Sequence, residues 1–262
     1  MVGVVKKSRA GDYFLKFLGT AGARFVMIKQ LRASGGIWVS SGGRNILIDP
    51  GPGSIVRCST SKPKIDPSTL DAIILTHRHL DHCGDINVMI EAMTEGGFKK
   101  RGVVFCPQDA VEEDPIILKH VVNFPVKTEI LQANKTYRVD NFEFGTSMKH
   151  IHPVETYGLK FKIKDKSVSL LTDTKYFREL ADFYQTDILI ICVVFFQPHP
   201  AIDHLCLADA ESLIKDIKPK KAILTHFGMT MLKAKPHLQA EALSQRLGIE
   251  VQAAYDGMTL EF

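Results

Sequence analysis

The chain has 262 residues, of which 45% are hydrophobic and 24% charged, and its formal net charge at pH 7 is +4. This length can bury a large core, and these fractions are typical of a soluble globular protein. The small positive charge suits an anionic small-molecule substrate but is far below that of a nucleic-acid-binding surface, so we do not expect a nucleic-acid partner.

The cysteines and the apolar segments indicate a cytoplasmic protein. The five cysteines form no CxxC pair, which suits free thiols in a reducing compartment. The first twelve residues contain no secretory hydrophobic segment. The longest apolar run, at 188–196, is about half as long as a membrane span requires. We therefore expect no membrane partner, and the sequence leaves a homodimer open.

Short runs rich in β-branched residues alternate with turn residues and helical patterns along the whole chain. The predicted strands are 13–18, 36–39, 45–48, 72–75, 103–105, 142–144, 159–163, 168–171, 188–195, 222–224, 249–253 and 258–262. The predicted helices are 85–94, 175–183, 208–217 and 236–247. No segment resembles a linker, a repeat or a low-complexity region, so we predict one α/β domain over residues 1–262.

The segment THRHLDH, residues 76–82, follows the predicted strand 72–75 and carries three histidines and an aspartate within six positions. In extended backbone His77 and His79 point to the same side and can chelate one ion, and Asp81 and His82 add a carboxylate and a third imidazole. Residues beyond the carboxyl end of a strand lie where α/β folds place their sites. A packing role would not supply hydrogen-bond partners for three imidazoles, so the cluster predicts a metal site.

Other predicted strands also lead to ligand-type residues. Asp173 follows the strand 168–171, His226 follows 222–224, and His150 and His152 follow the strand that begins at residue 142. Each residue alone has a structural alternative, Asp173 as a helix N-cap and His226 as a buried histidine with satisfied hydrogen bonds. Three strands that end at one edge of the fold favour a shared metal site.

HRHLDH matches the HxHxDH motif of the metallo-β-lactamase superfamily of binuclear metallohydrolases, which the chain resembles over nearly its whole length. The motifs that carry the resemblance follow the family's order: FLGT, ILIDPGPG, HRHLDH, HPVETYG, LLTDT and LTHFG. The resemblance implies the family's α/β fold, a four-layer αββα sandwich with the site at one edge of its two sheets.

The resemblance also implies two divalent metal ions, one bound by His77, His79 and His152 and the other by Asp81, His82 and His226, with Asp173 bridging both. His152 matches the motif rather than His150 because six positions separate it from Gly158. Asp49 is expected to orient a ligand histidine.

Imidazole and carboxylate ligands suit zinc first, with manganese or iron as alternatives. A hydroxide shared by two ions would attack phosphorus or a carbonyl carbon, and Asp81 would help to orient it. A structural zinc site is the alternative, but such sites usually use thiolates, and Cys83 is expected to be a small buried residue rather than a ligand.

Within the superfamily the chain is most similar to the phosphodiesterase branch, which includes the transfer-RNA 3′-processing endonuclease RNase Z and small cyclic phosphodiesterases. FLGT, RASGGIWV and the spacing from His152 to Gly158 carry this similarity. His204 matches the position of a histidine that assists at the scissile phosphate, so it is expected to be a general acid or a phosphate contact. A loop histidine without a role, close to His199, is the alternative.

Only 20 residues separate His152 from Asp173, where RNase Z enzymes of this branch carry a long substrate-binding insertion. A small phosphodiester, cyclic ones included, is therefore favoured over RNase Z-like RNA processing.

A thioester, ester or lactone hydrolase remains the main alternative and would be favoured by exposed aromatic residues near the site, such as Phe195, Phe196 and Phe227. A non-catalytic metal-binding relative is a less favoured alternative. Three cationic side chains have two interpretations, as contacts to a substrate phosphate or as solvated surface charges: Arg24, Lys29 and Arg32.

Overall fold

The computed structural model describes residues 13–112 and 114–262. The prediction that the first twelve residues hold no secretory segment falls outside this range. The strands are β1 (Phe14–Phe17), β2 (Ile37–Ser41), β3 (Arg44–Ile48), β4 (Ala72–Ile74), β5 (Val103–Cys106), β6 (Lys127–Ile130), β7 (Thr136–Val139), β8 (Phe142–Lys149), β9 (Tyr157–Ile163), β10 (Lys166–Leu171), β11 (Ile188–Cys192), β12 (Lys221–Thr225), β13 (Glu250–Ala253) and β14 (Thr259–Glu261). The helices are α1 (Ala23–Ile28), α2 (Ser54–Thr60), α3 (Leu80–Cys83), α4 (Ile86–Thr94), α5 (Leu180–Phe183), α6 (Leu207–Ile217), α7 (Met229–Lys233) and α8 (Pro236–Leu247).

The strands form two seven-stranded sheets. The first has the order β14-β1-β2-β3-β4-β5-β6 and the second the order β13-β12-β11-β10-β9-β8-β7. Strands β3 to β6 are parallel to one another, as are β10 to β13. Because parallel strands end at the same edge of a sheet, the residues that follow β3 and β4 lie together, as do those that follow β10 and β12.

Three apolar clusters divide the molecule into layers. The central cluster lies between the sheets and joins residues such as Ile46 and Ile74 of the first sheet to Leu159 and Ile190 of the second. One outer cluster packs α4 on the first sheet, and the other packs α6 and α8 on the second. Strand β11 is buried along its whole length because both of its faces are covered. This confirms the predicted four-layer αββα sandwich.

Each of the twelve predicted strands has a counterpart, but two edge strands were not predicted. Strand β6 reads KTEI and β7 reads TYRV, and both expose polar side chains, so their apolar signal is weak. The predicted helix 175–183 shortens to α5, since residues 175–177 are irregular and residues 178–179 form a turn. Within the described residues, the structure contains no helix with the length and apolar character of a membrane span.

Candidate metal centre

The THRHLDH segment leaves β4 in extended form and then turns. His79 has extended backbone (φ −65°, ψ 144°) and precedes the single turn of α3. The His79 carbonyl accepts hydrogen bonds from the backbone N–H groups of His82 and Cys83. This turn brings Asp81 and His82 back beside the two earlier histidines, so one short segment supplies four ligand-type side chains, two to each of two ligand groups.

The first ligand group, defined by His77, His79, His152 and Asp173, has all of its candidate ligand atoms within 4.8 Å of one another. His79 Nδ1 lies 3.0 Å from His152 Nε2, and His77 Nε2 lies 3.6 Å from Asp173 Oδ2. His152 follows β8 and Asp173 follows β10, so the second sheet supplies half of the group. The structure thus assembles around one point the residues that the sequence assigned to one ion.

The second ligand group, defined by Asp81, His82, Asp173 and His226, is equally close, with its ligand atoms within 4.8 Å of one another. His82 Nε2 lies 2.9 Å from His226 Nε2, which is 3.2 Å from Asp81 Oδ2. His226 Nδ1 lies 3.3 Å from Asp173 Oδ1. Asp173 belongs to both groups, the position that the resemblance implies for a bridging carboxylate. All seven predicted ligands therefore lie together.

Several buried polar atoms in this cluster have no hydrogen-bond partner among the described residues. They include His77 Nε2, His226 Nδ1 and Asp173 Oδ1. A buried polar atom without a partner costs free energy, and cations placed between these atoms would supply the missing interactions. The donor set consists of imidazoles and carboxylates, which suits zinc, manganese or iron. The residues therefore fit divalent metal ions.

The electrostatics also favour cations. Burial holds the pKa of His77 well below its usual range and lowers the pKa of His79 and His152, so these imidazoles are neutral. Burial alone would raise the pKa of Asp173, but the facing imidazoles of His226, His204 and His82 outweigh it and hold that pKa well below its usual range. Neutral imidazoles and ionised carboxylates are the forms that bind metal.

His82 differs from the other histidines. Burial would lower its pKa, but the carboxylates of Asp81, Asp173 and Asp49 outweigh burial and raise the pKa of His82 well above its usual range. Three carboxylates around one imidazole create a strongly negative field at the second ligand group. A divalent cation bound there would be stabilised by the same field that otherwise holds a proton on His82.

The Asp49 carboxylate orients histidines of both groups. Asp49 Oδ2 accepts a hydrogen bond from His82 Nδ1 at 2.9 Å and another from Thr76 Oγ1 at 2.7 Å. Thr76 Oγ1 in turn lies 3.1 Å from His77 Nδ1. Asp49 has left-handed backbone (φ +53°), a conformation that Asp tolerates better than most residues. The structure therefore places Asp49 where the sequence expected an orienting residue.

His150 belongs to neither ligand group. Burial lowers its pKa to about 4, so the ring is neutral. Its Nδ1 donates to the Asp173 backbone carbonyl at 3.1 Å, and its Nε2 therefore accepts from Tyr184 Oη at 2.7 Å. Gly158 makes room for Tyr184, because a Cβ atom at position 158 would lie only 1.6 Å from Tyr184 Oη. Tyr184 was not predicted as a site residue, and no local pattern marks it.

His204 lies beside the shared carboxylate. Its Nδ1 is 3.6 Å from Asp173 Oδ2 and is buried without a hydrogen-bond partner among the described residues. Burial lowers the pKa of His204. His199, in contrast, is exposed and stacks its ring on Phe195 at 5.1 Å between centroids. Of these two histidines, only His204 lies against the ligand groups.

The remaining residues singled out in the sequence belong to neither ligand group. Cys83 Sγ donates to the Arg78 carbonyl at 3.2 Å and is not a member of either group, as expected for a small buried residue. Phe227 is fully buried. Arg24 and Lys29 are exposed, and Arg32 Nη1 donates to Thr20 Oγ1 at 3.3 Å.

Comparison with known proteins places the chain among relatives of similar size. A family model described as a beta-lactamase superfamily domain matches residues 44–227. An uncharacterized protein of Methanocaldococcus jannaschii is 33% identical over 253 residues, which cover 94% of this chain and 93% of that protein.

Solved structures show the same fold. The crystal structure of the metallo-beta-lactamase fold protein YhfI from Bacillus subtilis gives a TM-score of 0.78 at 21% identity, covering 96% of this chain and 100% of that one. The crystal structure of a diphosphatase from the PhnP family gives a TM-score of 0.69 at 22% identity, covering 95% and 97%.

Proposed function

We propose that this chain, which belongs to the metallo-β-lactamase superfamily and is a metallohydrolase, is a phosphodiesterase of the branch of RNase Z and the PhnP family and acts on a small phosphodiester, cyclic ones included. The proposal includes two divalent ions, zinc ahead of manganese or iron, in the two ligand groups. Bound there, they would lower the pKa of the attacking water and stabilise negative charge in the transition state.

The observation that carries the phosphodiesterase proposal is the position of His204. It belongs to neither ligand group, yet its Nδ1 lies 3.6 Å from the shared Asp173 carboxylate and has no hydrogen-bond partner among the described residues. A departing alkoxide needs a proton, and a histidine ring nitrogen beside the reacting atoms can donate one. His204 would hold that proton at Nδ1 in its protonated form, which burial opposes and the Asp173 carboxylate favours.

Asp81 is proposed to act as a ligand and to orient the attacking water. Its Oδ2 lies 3.2 Å from His226 Nε2 and faces the second ligand group. The imidazoles of His82 and His226 lower the pKa of Asp81 against the opposing effect of burial, so the carboxylate stays ionised. An ionised carboxylate at this position can accept a hydrogen bond from a water molecule.

The chain between the two ligands of the second sheet favours a small substrate. The residues from His152 to Asp173 consist of a short loop, the hairpin of β9 and β10, and a two-residue turn, with no inserted arm. An extended surface for gripping a folded RNA is therefore not built from this segment. A small anionic molecule needs no such surface, which supports a small phosphodiester over a transfer-RNA precursor.

A phosphoanhydride is the second candidate substrate. The observation that favours it is the structural likeness to a protein described as a diphosphatase of the PhnP family. Thioesters and lactones keep part of their support, because Phe227 is fully buried but Phe195 and Phe196 are half-buried, and the Phe195 ring lies 6.2 Å from that of His204 between centroids. A non-catalytic role gains no support, because every ligand position is filled.

A hydrolysis screen of the metal-reconstituted protein tests the proposal. The substrates are bis-p-nitrophenyl phosphate, 2′,3′- and 3′,5′-cyclic nucleotides, a ribose cyclic phosphate, a nucleoside diphosphate, thioesters, lactones and a transfer-RNA precursor. We expect the highest kcat/KM with a small phosphodiester. Turnover confined to thioesters or lactones would overturn the proposal, and turnover confined to the diphosphate would select the second candidate.

His204→Ala tests the assigned proton donor. We expect kcat for an alkyl phosphodiester to fall by roughly 10²–10⁴-fold, the usual contribution of a positioned general acid. The loss should be smaller with bis-p-nitrophenyl phosphate, because p-nitrophenolate leaves without protonation. Metal content, measured by elemental analysis, should not change. His199→Ala is the matched control and should keep full activity; equal losses for both leaving groups, or loss of metal in His204→Ala, would refute the role.

A further inference from the structure

A second polar pocket lies on the outer side of the first sheet, away from the ligand groups. It has a volume of about 200 Å³ and lies between β1, the end of α2 and the residues that precede β14. The side chains that matter for its chemistry are Lys16, Arg57, Ser61 and Lys62. None of its lining residues belongs to either ligand group. We call it the Lys16 pocket.

Lys16 is a buried cation in the middle of a strand. Its neighbours Leu15 and Phe17 face the core between the sheets, whereas Lys16 faces outward and is still only 4% exposed. Its Nζ donates to the Lys62 carbonyl at 3.2 Å and to Thr259 Oγ1 at 2.9 Å. Both partners are neutral, and the third N–H of the ammonium has no partner among the described residues. Buried charges are costly unless they are paired with an opposite charge.

A second cation shares this pocket. Arg57 Nε donates to the Leu18 carbonyl at 2.9 Å, while neither Nη atom donates to an acceptor in the described part of the chain. Burial, and then the charge of Arg57, lowers the pKa of Lys16, so the two cations act on each other. Among residues 13–112 and 114–262, no carboxylate oxygen lies within 4.0 Å of either cation. Neither cation of the pocket therefore forms an ion pair with a described residue.

The pocket also contains an unused hydroxyl. Ser61 Oγ is buried and makes no hydrogen bond to any described residue. Lys62, next to it, is exposed and adds positive charge at the pocket entrance. Two cations with free N–H groups and one free hydroxyl converge on the same space. These are the donors that proteins use for oxyanions, in which arginine and lysine pair with phosphate oxygens.

We propose that the Lys16 pocket binds the phosphate group of a small molecule. A phosphate dianion would accept hydrogen bonds from the free N–H of Lys16, from the Arg57 Nη groups and from Ser61, and it would neutralise both charges. The volume of the pocket exceeds that of one phosphate, so free phosphate and the phosphate group of a small phosphomonoester share the chemistry that this site recognises. The site is independent of the reaction at the metal centre.

Titration calorimetry on the metal-loaded protein tests the proposal. Inorganic phosphate and ribose 5-phosphate are titrated separately in chloride buffer at constant ionic strength. Arg57→Gln should weaken binding at one site by roughly 10- to 100-fold, as expected for a charge-assisted hydrogen bond. Lys64→Gln removes an exposed charge close by and should change the affinity less than twofold. If ribose 5-phosphate binds more tightly than inorganic phosphate and depends on Arg57 in the same way, the ligand is a phosphomonoester; the reverse order identifies free phosphate.

Crystals soaked in tungstate, a tetrahedral oxyanion with strong anomalous scattering, locate the site directly. We expect an anomalous peak between Lys16 and Arg57 that disappears in Arg57→Gln crystals, whatever occurs at the metal centre. The proposal is wrong if tungstate is found only at the metal ligands. It is equally wrong if neither probe binds, or if wild type and Arg57→Gln bind phosphate with the same affinity.

Discussion

The two ligand groups contain the same kinds of side chain but are held in place differently. In the second group, His82 Nδ1 donates directly to the Asp49 carboxylate. In the first group, His77 reaches that carboxylate only through the Thr76 hydroxyl, and His152 Nδ1 donates to the Asp203 backbone carbonyl. A carboxylate partner fixes the ring and increases its basicity, so we infer that the second group binds its ion more tightly. The groups thus differ in the partners of their histidines, and also in composition, because the second has two carboxylates where the first has one.

Substitution of Asp173, the ligand that both groups share, should have the largest effect, because it impairs metal binding in both groups. Asp173→Ala deletes the carboxylate that belongs to both, so we expect metal content to fall from about two ions per chain to below one, with turnover below detection. Elemental analysis after zinc reconstitution and a phosphodiesterase assay measure this. Asp165→Ala, in the exposed turn between β9 and β10, is the matched control and should keep both ions. Wild-type protein that never exceeds one ion would contradict the two-ion proposal.

Asp49→Asn should act mainly on the second group. Asparagine tolerates the left-handed backbone of position 49, but it replaces a charged acceptor with a neutral one. Loss of such a carboxylate partner typically lowers metal affinity by roughly 10- to 100-fold. In a zinc titration against a chelator, we expect the tighter of the two binding steps to weaken most. Equal weakening of both steps would show that the two groups depend equally on Asp49.

Thr76→Val should have the smallest effect and should act on the first group. Valine preserves the shape of threonine but breaks the path from His77 to Asp49, while the Thr76 backbone N–H that donates to Asp49 is unaffected. Loss of one neutral hydrogen bond lowers affinity by roughly two- to tenfold. The same zinc titration should show the weaker step shifting and the tighter step unchanged. A larger shift in the tighter step would reverse the order that we infer.

The sequence predicted the fold and the residues of the site where the signal was local or followed a strong apolar strand. HRHLDH concentrates four ligand-type side chains in six positions, and Asp173 and His226 follow apolar runs directly, so their meeting at one edge could be expected. Tyr184 could not be predicted, because its contact with His150 depends on the space above Gly158. Similarly, Lys16 alternates with apolar residues like any solvent-facing strand residue, and its contacts with Lys62 and Thr259 join residues that are distant in sequence.

The division of the ligands between the two sheets links metal binding to folding. His77, His79, Asp81 and His82 extend from the first sheet, whereas His152, Asp173 and His226 extend from the second. An ion bound between them would therefore be a non-covalent cross-link between the two sheets. A ligand that binds only the folded state adds about 2.7 kcal/mol to the free energy of unfolding when its free concentration is 100 times its Kd. Metal binding would thereby raise the free energy of unfolding as well as supply the chemistry of the site.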